Sequence, residues 1–187
     1  MIKYNHECNT GGKAVKDVLT LIDQIADEHR EILKDMQTSE HIANDFSAIR
    51  ELEKPIDEFV QHRLSDEKQS LQDLKKTLDN VDSLLKKHFD REEKSLLKAF
   101  KTHRHEAFVS SLTVLLDEHQ VLLDRIARLR REANELMKGD LSRHIWEGKA
   151  YAMRTYLRQT QKMIQAHAET EWELMLDLRK ELERAAD

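Results

Sequence analysis

Residues 71–99 read LQDLKKTLDNVDSLLKKHFDREEKSLLKA. Leu71, Leu74, Leu78, Val81 and Leu85 recur at alternating intervals of three and four, and the stripe resumes at Leu96 and Ala99. That period sets side chains on one face of an α-helix, whereas a strand would alternate every second residue. Where the next inward positions fall due, the chain places His88 and Glu92 instead of apolar residues. Polar groups in a buried seam cost roughly 2–7 kcal/mol each when unpartnered. The interruption therefore has to be met by something across the core.

Three more stripes carry the same kind of interruption. Val18, Ile22, Ile25, Ile32 and Met36 are broken by His29. Leu112, Leu115, Leu122, Ile126, Leu129, Ala133 and Leu136 are broken by His119. Ala150, Met153, Leu157, Ile164, Leu174 and Leu178 are broken by His167 and Glu171.

Composition agrees with an all-α fold. The 187 residues include four Gly and one Pro, too few for the turns of a sandwich or barrel, and no glycine-rich phosphate loop occurs. Hydrophobic residues at 39% and charged residues at 36% are the balance of amphipathic helices. The expected organisation is a polar N-terminal tail over residues 1–13 and one helical domain over 14–187. Net charge is −5 with both signs interspersed, so neither nucleic acid nor an anionic membrane is an expected partner. Cys8 is the single cysteine, an untied thiol on the tail, and a cytoplasmic setting is the simplest expectation.

In an antiparallel hairpin, residues at one height lie equally far from the turn. The midpoint of His29 and His88 falls near Pro55. That of His88 and His119 falls in Lys101-Thr102-His103-Arg104, and that of His119 and His167 beside Gly139-Asp140-Leu141-Ser142. Breakers or polar residues already mark all three places. An up-down-up-down antiparallel four-helix bundle thus brings six groups to one level, as a duplicated hairpin. Asp27-Glu28-His29 with His88-x-x-x-Glu92 is followed by Asp117-Glu118-His119 with His167-x-x-x-Glu171. Residues 38–66 are expected to extend a neighbouring helix, kink, or cross the bundle end.

Four imidazoles and two carboxylates form a borderline ligand set suited to a pair of first-row metals such as iron, manganese or zinc, with two irons fitting best. Two such cations with two carboxylates leave a net positive site, which favours an oxo or hydroxo bridge and open positions for dioxygen or nitric oxide.

His88-Phe89-Asp90-Arg91-Glu92-Glu93 resembles the H-F-x-x-E-E signature of the hemerythrin-like family, also called the HHE cation-binding domain. The resemblance spans Val15 to Leu182. It implies His29, His88, Glu92, His119, His167 and Glu171 as ligands of a non-haem di-iron centre, with both carboxylates bridging. Oxygen-carrying members have a second histidine one turn from the third-helix ligand and an aspartate in place of Glu171. Here Leu115, Leu116, Leu122 and Leu123 flank His119. The set is more similar to the four-His, two-Glu centres of iron-sulfur-repair and iron- or gas-sensing relatives. The repair proteins usually carry a cysteine-bearing N-terminal domain, where this chain has Cys8 alone.

The leading expectation is a di-iron protein binding dioxygen or nitric oxide for sensing, scavenging or iron handling. An enzyme that turns over peroxide or nitric oxide or repairs iron-sulfur centres, and a purely structural scaffold, are the alternatives. Phe89 and Trp172 adjoin ligand positions and are candidate walls of a gas pocket or ordinary packing. Met36, Met153, Met163 and Met175 read as core filler, and the charge runs Arg128 to Glu132 and Arg179 to Arg184 as solvated faces. His6, His41, His62, His103, His105 and His144 have no place in the set.

Overall fold

The computed structural model describes residues 10–44, 63–102, 106–138 and 141–186. Among them α1 is Thr10–Asn44, α2 is Arg63–Arg91, a π-helical turn covers Glu92–Leu96, α3 is Leu97–Thr102, α4 is Glu106–Met137 and α5 is Arg143–Ala186. Since α2, the π turn and α3 follow without a break, they act as one rod, and the described residues form four rods and no strand. Two of the three expected turns fall in the gaps after Thr102 and after Met137. Pro55 and most of 38–66 lie outside the described residues, although α1 carries the first part of that stretch as far as Asn44.

Side-chain bonds between helices fix the direction of each rod. Asp23 of α1 pairs with Arg179 of α5, Glu40 with Arg158, and Asn44 with Arg154, so one number rises as the other falls. Glu118 meets His167, Arg125 meets Thr160, and Glu135 meets Lys149 between α4 and α5 in the same descending manner. In this ring α1 touches α2 and α5, and α4 touches the α2–α3 rod and α5. The architecture is the up-down-up-down all-α bundle that the stripes predict.

The stripes make two apolar compartments. One holds Ile32, Met36, Leu78, Leu85, Leu122, Ile126, Met153 and Ile164, and the other Ile22, Ile25, Leu96, Phe100, Leu112, Met175 and Leu178. Along every rod the polar interruptions fall between the two, so the six groups form one layer with close-packed hydrocarbon above and below. No described helix is long and apolar enough to cross a membrane.

Three surface readings need correction. Met36, Met153 and Met175 are core residues, but Met163 is 40% exposed. It neighbours Ile164, and one residue is about 100° around a helix, enough to leave the stripe. The run Arg128 to Glu132 is more than a solvated face: Arg128 pairs with Glu132, but Arg130 reaches Asp79 and Asp82 of α2, and Arg125 and Arg128 both lie against the Tyr156 ring. Arg179 likewise ties α5 to α1.

Candidate metal centre

His29 comes from α1, His88 from the last turn of α2, Glu92 from the start of the π turn, His119 from α4, and His167 and Glu171 from α5. All six side chains are buried. Helix spacing explains the pairs on one rod: positions four apart share a face one turn apart, so each His-x-x-x-Glu aims both groups inward. The structure brings the six together in two overlapping groups. His29, His88, Glu92 and Glu171 offer ligand atoms within 4.8 Å of one another, as do Glu92, His119 and His167. Each group contains two imidazoles, and Glu92 belongs to both. The rings face each other in like manner, 4.5 Å apart at 70° for His29 and His88 and 5.2 Å at 67° for His119 and His167.

Three of the imidazoles are oriented by carboxylates outside the layer. His88 Nδ1 lies 3.1 Å from Glu28 Oε2, His119 Nδ1 3.0 Å from Glu93 Oε1, and His167 Nδ1 3.0 Å from Glu118 Oε2. A carboxylate oxygen only accepts, so Nδ1 carries the proton and donates, leaving the Nε2 lone pair for the core. Arg91 donates to Glu28 in turn and fixes it. Sequence reasoning noticed the Asp-Glu-His repeat but gave Glu28 and Glu118 no role, and it missed Glu93 as a partner. The available signal was that each sits one residue from a ligand.

The consequence is an excess of acceptors. Nε2 of His29, His88, His119 and His167 and both oxygens of Glu92 and Glu171 are buried without a hydrogen-bond partner. They are nevertheless close: His88 Nε2 stands 2.5 Å from Glu92 Oε1, His119 Nε2 3.2 Å from Glu92 Oε2, and His29 Nε2 3.2 Å from Glu171 Oε2. For His88 and His119, whose Nδ1 carries the proton, these are lone pairs facing lone pairs whenever Glu92 is ionised, each costing about 1–3 kcal/mol of unrecovered desolvation. A cation is the partner that such a donor set lacks, and buried imidazole with carboxylate is chemistry that fits a transition metal. Burial first, and the Glu171 carboxylate second, hold Glu92 well above the usual carboxylate range. Burial also pushes the His88 imidazole down to about 4, so it is neutral and free to ligate at neutral pH.

Phe89 stacks on His119 with centroids 3.7 Å apart and planes at 6°, and it meets His88 and His167 at 5.7 and 5.9 Å. It also lines a cavity of about 10 Å³ beside the layer, together with His29, Leu85, His88, Ile164 and His167. About one water-sized molecule fits such a volume. Trp172 is not among its lining residues and is 36% exposed, so of the two aromatic side chains Phe89 is the one that borders this cavity. No second imidazole of α4 accompanies His119; Leu115 and Leu122 are buried on that face instead. His41 and His144 are exposed, and His6, Cys8, His62, His103 and His105 lie outside the described residues.

A family model described as the hemerythrin HHE cation binding domain matches residues 20–179. No curated protein and no solved structure matches the chain.

Proposed function

The chain belongs to the hemerythrin HHE cation-binding domain family, and from that premise we propose that His29, His88, Glu92, His119, His167 and Glu171 hold two iron ions whose task is to bind dioxygen or nitric oxide, in sensing, scavenging or iron handling. The observation that carries the reading is the convergence of buried acceptors without donors into two groups that share Glu92. Iron in such a site supplies a redox couple and open coordination positions for a diatomic molecule. The protein's own residues do the rest. Glu28, Glu93 and Glu118 fix imidazole tautomers, the two apolar compartments exclude bulk water, and the small Phe89-lined cavity limits what reaches the layer to molecules of about water size.

A scaffold that merely tolerated core histidines would pair these atoms with one another or with donors, and their unpartnered state favours the metal reading. The test is an anaerobic optical titration of the ferrous protein with nitric oxide and, separately, with dioxygen. A saturable change at a fixed ratio of gas to protein is expected with at least one of them, and no change with either contradicts the proposal. Sustained consumption in the presence of a reductant assigns turnover, where a single equivalent assigns binding.

A further inference from the structure

The two halves of the duplicated hairpin treat their imidazoles differently. Glu28 orients His88 and Glu118 orients His167, so the Asp-Glu-His repeat does the same work twice. The residue after each His-x-x-x-Glu breaks the correspondence. In the first half it is Glu93, which holds His119; in the second it is Trp172, one-third exposed, and it offers no carboxylate. His29 meets its carboxylates, Glu92 and Glu171, through Nε2 on the core side, and among the described residues no carboxylate stands behind its Nδ1 as one does for the other three imidazoles. His119 has both a carboxylate and the stacked Phe89 ring. Of the four imidazoles only His119 is away from the cavity, and at 8% His29 is the most exposed of the six groups.

We propose that His29 is the unanchored ligand of this centre, and that the metal it shares with His88, Glu92 and Glu171 is the exchangeable one, while the metal on His119 and His167 is held. The proposal rests on the two-metal reading given above. Ligand count and charge run the other way, since the His29 group has four ligand residues and both carboxylates against three and one in the His119 group; the proposed difference lies in how firmly the imidazoles are positioned. Carboxylates behind ligating histidines raise metal retention about 10–100-fold. Glu93 is thereby a positioning residue, and Trp172 marks where the corresponding one is missing.

The test uses the full chain loaded with cobalt(II) and challenged with excess chelator, with the visible cobalt absorption followed over time. The expected loss has two phases of one equivalent each. His29→Ala removes the fast phase and His119→Ala the slow one. Trp172→Glu slows the fast phase about 10–100-fold, Trp172→Phe leaves it unchanged, and Glu93→Gln speeds the slow phase. Circular dichroism of each metal-free variant reports folding independently of metal. Uptake of two cobalt ions that leave in one phase, or a fast phase lost in His119→Ala instead of His29→Ala, overturns the inference while sparing the two-metal reading. Failure of the chain to take up cobalt or iron overturns both.

Discussion

Replacing Glu92 by Gln has different effects on the metal-free and metal-loaded chain. Glu92 Oε1 lies 2.5 Å from His88 Nε2 and 3.8 Å from His29 Nε2, and Oε2 lies 3.2 Å from His119 Nε2. An amide brings an N–H₂ group to imidazole lone pairs that have no donor. The amide nitrogen replaces one oxygen only, so it reaches His88 or His119 but not both, and His29 Nε2 at 3.8 Å is too far; the one new hydrogen bond is worth about 1 kcal/mol. A proton on Glu92, which its raised pKa favours, already gives the parent such a bond, so the gain lies between zero and about 1 kcal/mol. For a chain of this size each kcal/mol moves Tm by about 2–4 °C, so the chelated variant melts level with the chelated parent or up to about 4 °C above it. Metal puts the parent ahead. Glu92 is common to both groups and an amide is a poor ligand. The parent gains about 2.7 kcal/mol when free metal exceeds its Kd a hundredfold, and the variant loses most of that. Calorimetric melts of both proteins, chelated and then with ferrous iron under anaerobic conditions, give four values. A chelated variant that melts below the chelated parent, or iron raising both proteins alike, refutes the reasoning.

Other outcomes follow from the same geometry. His119→Ala lowers metal content measured by elemental analysis, and His144→Ala, at an exposed position, leaves it unchanged. In the metal-free chain the His88 imidazole titrates near 4 by NMR against an ordinary 6.5. Between those values the unfolded chain takes up the proton and the native one does not, so this contribution to stability falls as pH drops from 6.5 toward 4, by about 3 kcal/mol in all. Denaturant titrations of the parent and His88→Gln, compared across that window, isolate it; a pH-independent difference contradicts the assignment. Phe89→Ala removes a buried ring stacked on His119 and costs about 3–5 kcal/mol in chelated protein by denaturant unfolding.

The bundle and its polar layer are legible in the sequence for one physical reason. A helix buries one stripe, so a charged or imidazole group on that stripe stands out against Leu and Ile. His29, His88, Glu92, His119, His167 and Glu171 were found as such exceptions. The orienting carboxylates offer no comparable contrast: Glu93 and Glu118 are half-exposed acids in a chain that is 36% charged, and only the folded geometry separates them from a solvated face. The π turn at Glu92–Leu96, where the Leu97 amide donates to the Glu92 carbonyl, is also silent, because the intervals through Leu96 and Phe100 still read as helix. Trp172 lies at the surface although it adjoins Glu171, because one residue in sequence is about 100° of rotation in a helix. Phe89 escapes that rule because it falls four residues from Leu85 and joins the buried face.

Two irons held by the six buried side chains would show in both the composition and the colour of the protein. Elemental analysis of the aerobically isolated chain, taken with its near-ultraviolet spectrum, is expected to give about two irons per chain and an oxo-to-iron charge-transfer band, both lost in Glu92→Gln. Protein that stays metal-free after anaerobic reconstitution with ferrous iron contradicts the two-iron reading.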